Sequence, residues 1–145
     1  MMAADAVFVD TNLLVFATFD RAPWHAARRR VLEDLHAYGR TLWVSRQVLR
    51  ECLVQLTRPQ SFGTIPHAIG AAAVEALAAQ FTIADENVLV STMLIQLVKT
   101  HGVSGKQVHD ANIVATMMVH QVPTLVSWNG RDFRRYGSLI DIIEP

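Results

Sequence analysis

Two hydrophobic periods alternate along the chain: short β-favouring apolar runs, and stripes in which apolar residues recur every three or four positions. Val7-Phe8-Val9 reads as a buried strand, broken off by Asp10, Thr11 and Asn12. Thr11 and Asn12 are both good helix N-caps, and Leu13-Leu14-Val15-Phe16 follows at once, so a short helix is expected there. After a break at Arg21-Ala22-Pro23, the residues Trp24, Ala27, Val31, Leu35 and Tyr38 keep helical spacing up to Gly39. Thr41 to Val44 is a second strand, and Ser45 caps a helix with Val48, Leu49, Cys52, Leu53 and Leu56 on one face. Breakers mark 58–64 as a loop, and Pro66 opens an alanine-rich helix running to about Gln80. Phe81-Thr82-Ile83 is a short strand, and Asp85 is the expected cap of a helix from Val88 to Gly102. A further helix spans about Gln107 to His120, Thr124 to Ser127 is a compact strand, and a loop with a short helix at Phe133 leads to a last strand, Leu139 to Ile143.

Strands separated by helices predict an α/β fold, with a mostly parallel sheet, helices on both faces and right-handed crossovers. The 145 residues fit a single domain, 1–145, without repeat or linker, and their 51% hydrophobic content suits a sizeable core. Thirteen basic and thirteen acidic residues cancel, so a nucleic-acid partner has to be held by a local patch or a metal. One cysteine, Cys52, cannot form an intramolecular disulfide and reads as core. With no signal-like start, a reducing cytoplasm is the expected compartment. Val88 to Val98 is interrupted by Ser91, Thr92 and Gln96 and is too short for a bilayer, so no membrane role is expected.

The chemistry lies where apolar runs end in acids. Asp10 falls at the carboxyl end of the first strand, where open α/β sheets keep their sites, although an acid there also caps a helix. Asp110 shares a helical face with Ile113, Val114 and Met117, so a carboxylate stands where the core stripe should continue. Glu51 lies roughly 130° from the centre of its helix's apolar stripe, which by periodicity leaves it solvated beside Arg46 and Arg50. Asn129 and Asp132 follow the 124–127 strand at the same edge as Asp10, in a spacing that also fits local capping. Acids converging at one edge repel one another unless a divalent cation neutralises them, and oxygen donors point to Mg²⁺ or Mn²⁺. Metal-assisted phosphodiester hydrolysis matches acids with no nucleophile beside them.

The six histidines have no metal-ligand spacing, with His109 singled out only for its place beside Asp110. Arg28-Arg29-Arg30 points around its helix and reads as a solvated face. Arg131, Arg134 and Arg135, next to the Asn129 loop, are better placed to contact a polynucleotide backbone.

Taken together these residues resemble a PIN-domain nuclease, and within that superfamily the VapC-like toxins of bacterial toxin–antitoxin pairs. Val7-Phe8-Val9-Asp10-Thr11-Asn12, Arg50-Glu51, His109-Asp110-Ala111 and Leu125-Val126-Ser127-Trp128-Asn129-Gly130-Arg131-Asp132-Phe133 look like the family's motifs in order. The resemblance implies a three-layer α/β/α fold with a sheet of 4–5 strands and a Mg²⁺-dependent endoribonuclease, with Mn²⁺ able to substitute. It also implies an RNA substrate, a cognate antitoxin and a homodimer. Carried over by motif, Asp10, Asp110 and Glu51 would be the metal ligands and Asp132 a further catalytic acid, supported by Asn12, Asn129 and Ser127. Asn129 stands where the family often has an acid, so the motif implies one ion, or a second arriving with the RNA phosphate. The rival reading is a PIN-like module that binds RNA or protein with little or no cleavage. A receiver- or phosphatase-type protein ranks below both, because Thr11-Asn12 follows Asp10 in place of a D-x-D.

Overall fold

The structure is a computed structural model that describes residues 3–145. Its centre is β1 (Ala6–Val9), four residues long and buried throughout. Helices α1 (Thr11–Thr18) and α2 (His25–Ala37) follow, then β2 (Thr41–Ser45), α3 (Arg46–Thr57) and α4 (His67–Gln80). The second half runs β3 (Thr82–Ala84), α5 (Val88–His101), α6 (Gln107–Val119), β4 (Thr124–Val126), a 3₁₀ helix over Gly130–Tyr136, and β5 (Asp141–Ile143).

All strand pairings within the sheet are parallel and the strand order is β3-β2-β1-β4-β5, with Phe8 opposite both Trp43 and Leu125. The expected sheet is therefore present with five strands, and the wholly apolar strand takes its middle, where a strand is covered on both faces. Val7, Phe8 and Val9 of β1, Leu13 and Leu14 of α1, Val48 and Cys52 of α3, and Ile113, Val114 and Met117 of α6 meet in one core. Among the described residues, no helix is long and apolar enough to cross a membrane.

Several local expectations shift. Asp10, not Thr11 or Asn12, is the N-cap of α1, because its carboxylate reaches the Thr11 N–H from extended backbone. Asn87, not Asp85, caps α5, accepting from Leu89 N at 3.0 Å and Val90 N at 3.2 Å, while Asp85 pairs with Arg46 at 3.0 Å. Trp24 lies outside α2 in left-handed backbone (φ 59°) and, like Tyr38, is exposed. Leu53 turns outward on α3, so the buried stripe lies closer to Gln47 and Glu51 than periodicity indicates. The last strand starts at Asp141, since Leu139 and Ile140 close a turn onto the Tyr136 carbonyl.

Candidate active site

Parallel strands put their carboxyl ends on one edge, and β1 and β4 are neighbours there. Asp10 and Ser127 are the residues that follow the paired Val9 and Val126. Asp10 is 8% exposed, with Oδ1 accepting from Thr11 N at 2.8 Å and Oδ2 accepting from Ser127 Oγ at 2.7 Å. Ser127 Oγ accepts in turn from Asn129 N at 3.1 Å, which ties the following loop to the same acid. Burial pushes the Asp10 pKa upward, the two hydrogen bonds oppose it, and the charges of Glu51 and Asp132 add to the rise.

Glu51 is half-buried on α3. Its Oε2 accepts from Thr11 Oγ1 at 2.8 Å and its Oε1 accepts from Gln47 Nε2 at 2.8 Å. Solvation beside Arg46 and Arg50 is therefore corrected: Arg46 is drawn away to Asp85, and neutral donors hold the carboxylate instead. Asp110 stands in the first turn of α6 with its pKa pushed up to about 6, first by burial and then by the charges of Asp10, Asp132 and Glu51. His109 opposes that rise. Asn129 occupies the cap position of the 3₁₀ helix, but its side chain makes no capping bond; its backbone carbonyl accepts from Asp132 N at 3.0 Å.

Asp10, Glu51, Asp110 and Asp132 line one cavity of about 550 Å³, together with Asn12 and Asn129. Phe16, Val54, Gln55, Arg58 and Gln60 extend its wall. A separate open groove of about 620 Å³ between α2 and α4 is lined by Leu32, Leu77 and Phe81 and holds no acid cluster. Arg58 is the one cation lining the acidic cavity among the described residues. Arg131, Arg134 and Arg135 do not line it: Arg134 pairs with Glu144 at 3.2 Å and Arg135 donates to Gln107 at 3.4 Å. Among the described residues, no acid of the cavity has a salt-bridge partner, and no group of three or more His, Cys, Asp or Glu side chains is gathered closely enough to hold a metal ion.

The arginine run was the least readable part of the sequence. Arg28 is 3% exposed and donates from Nη1 to Asn12 Oδ1 at 2.8 Å, which corrects its expected solvation. Its guanidinium lies 4.2 Å from the Phe16 ring centre, 4.4 Å from Trp128 and 5.3 Å from Trp24. Aromatic faces thus take the place of a carboxylate as partners of the buried cation. The signal was its spacing, because Arg28 shares a helical face with the half-buried Val31 and Leu35.

Residues 7–139 match the family model of the PIN domain. The chain belongs to the PIN domain family. Solved structures with the same fold include VapBC2 from Rickettsia felis bound to a DNA fragment from its promoter, at 20% identity and a TM-score of 0.71, covering 97% of this chain and 98% of that one. Mycobacterium tuberculosis VapC20, described as a sarcin-ricin loop cleaving toxin, is 17% identical with a TM-score of 0.70, covering 96% and 99%. DNA-bound VapBC from Salmonella typhimurium is 20% identical with a TM-score of 0.68, covering 96% and 97%. The comparison with curated proteins gives no match. In this PIN domain the four acids named from the sequence line one cavity, while the three arginines chosen for a polynucleotide lie outside its walls.

Proposed function

We propose that this PIN domain is a metal-dependent endoribonuclease acting as the toxin of a toxin–antitoxin pair. The observation that carries the reading is the cavity of four carboxylates with no paired cation, two of them with raised pKa values. Four acids face one lining arginine that pairs with none of them, and a divalent cation is the natural counter-charge.

No three of these side chains are gathered around one point, so an ion held here would keep most of its waters, as Mg²⁺ does beside one or two carboxylates. Asp10 and Asp110 are the principal holders, and Glu51 faces the same cavity with its orientation already fixed. When bound, the cation supplies an activated water and a Lewis acid for the phosphodiester. Asp132 and Asn129 border the same space, Asn129 contributing a neutral oxygen where an acid would add charge. Asn12 presents its amide with Oδ1 already held by Arg28, and Arg58, which lines the same cavity, meets the phosphate backbone.

RNA as substrate is supported by the description of VapC20, and an antitoxin partner by the toxin–antitoxin complexes among the structural matches. Homodimerisation belongs to the same reading. Asn129 favours a second reading, a module that binds RNA or protein without cutting. Induced expression in a bacterial host separates the two: the nuclease reading expects growth arrest and fragmented RNA that Asp10→Asn relieves. Arrest of equal depth with Asp10→Asn and intact RNA would favour the binding module.

A further inference from the structure

Gln47 lies one turn before Glu51 on α3 and is 2% exposed, an unusual place for a primary amide among Val48, Leu49 and Cys52. Burying an amide is costly unless its donors and acceptor are all met. Here they are. One Nε2 proton goes to Glu51 Oε1 at 2.8 Å and the other to the backbone carbonyl of His109 at 2.8 Å, the residue before Asp110. Gln47 Oε1 accepts from Asn112 Nδ2 at 2.7 Å. A flipped amide would face Asn112 donor to donor and meet Glu51 and His109 acceptor to acceptor, so the network admits one orientation. Glu86 holds the far side, accepting from Gln47 N at 3.0 Å and from Asn112 Nδ2 at 3.2 Å.

We propose that Gln47 is a positioning residue that clamps the Glu51 carboxylate to the start of α6, and so sets the placement of Glu51 relative to Asp110 for a divalent cation. This rests on the metal-site reading above. Two acids on separate helices repel each other, and the hydrogen bonds of Gln47 to Glu51 and to the His109 carbonyl oppose that repulsion. Gln47 makes both bonds with one side chain. Neutral donors suit the task better than an arginine or lysine would, because they orient Glu51 while leaving its charge for the ion. Asn112 acts one step further out, locking the amide that does the clamping.

The test is Mn²⁺ binding to the full chain, followed by the electron paramagnetic resonance of free ion, in wild type, Gln47→Met and Asn112→Ala, with circular dichroism and melting curves on each. The outer partners of metal ligands typically contribute about 10–100-fold in affinity, so Gln47→Met should bind Mn²⁺ at least about tenfold more weakly. Asn112→Ala should fall between it and wild type. Cleavage by Gln47→Met should recover at saturating Mn²⁺, a rescue that a purely structural role would not produce. A dissociation constant for folded Gln47→Met within about twofold of wild type overturns the assignment; where that variant does not fold, wild-type affinity in Asn112→Ala does so. Wild type that holds no Mn²⁺ removes the metal-site reading and this role with it. Wild type that binds beside an unaltered variant removes only the role of Gln47.

Discussion

Ser127 Oγ donates to Asp10 Oδ2 at 2.7 Å across two neighbouring parallel strands, and so fixes the central acid from the β4 side. The hydroxyl is fully buried and also receives the Asn129 N–H. Replacing Ser127 with alanine leaves Asp10 Oδ2 without that donor and frees the Asn129 loop. We expect a stability loss of about 1–2 kcal/mol in urea denaturation, the usual cost of a buried acceptor left unmet. Because the Ser127 bond lowers the Asp10 pKa, its loss raises that pKa further, and Mn²⁺ binding near neutral pH should weaken. Unchanged stability and Mn²⁺ affinity would count against this role for the bond.

Asp110 has a pKa of about 6, above its ordinary 3.8, so the folded chain holds that proton more tightly than the unfolded one. Its contribution to stability is full below about pH 4 and is lost as pH rises through about 6. Asp110→Asn removes that loss. Melting curves in EDTA should therefore show the variant gaining on wild type across this window, ending about 2–4 °C higher at neutral pH if relief of the charge is worth about 1 kcal/mol. Cation affinity runs the other way, since the ion needs the carboxylate, so Mn²⁺ binding by wild type should strengthen through about pH 6. A melting difference independent of pH would show that the Asp110 charge is not strained.

Arg28 should matter by volume more than by charge. Its guanidinium fills the space between Phe16, Trp24 and Trp128, and its Nε is enclosed without a hydrogen-bond partner. Arg28→Ala is expected to cost about 2–4 kcal/mol, as core truncations do. Arg28→Met keeps most of the volume and should cost less than half of that. Chemical denaturation of the two variants checks the ratio, and equal losses would assign the stability to the charge and its bond to Asn12.

Arg58 and Arg134 offer a matched pair for RNA binding. Arg58 lines the acidic cavity, whereas Arg134 is held by Glu144 outside it. Arg58→Gln should raise KM several-fold, leave kcat near wild type and flatten the salt dependence by about one phosphate contact. Arg134→Gln should change little. The reverse pattern would place the polynucleotide across the 3₁₀ helix.

The sheet and most helices are legible because apolar runs and stripes directly report burial on two faces or one. Asp10 is legible as an acid at the carboxyl end of a buried strand, and Asp110 as a charge standing where a core stripe was due. Glu51 is not, since its helix turns the buried stripe towards Gln47, and only the motif resemblance selects it. Gln47 and Arg28 escape because each is buried by what it bonds or stacks against, and those partners lie on other elements: His109 and Asn112 for Gln47, Trp128 and Asn12 for Arg28. Asn87 takes the cap position expected of Asp85, which instead pairs with Arg46, a partner distant in sequence.

The central claim is tested most directly by incubating total cellular RNA with wild type and Asp10→Asn, each with Mg²⁺, with Mn²⁺ and with EDTA. Discrete fragments are expected from wild type with either metal, and intact RNA with EDTA or with the variant. Equal cleavage by the variant, or intact RNA under every condition by a wild type that binds Mn²⁺, would contradict it.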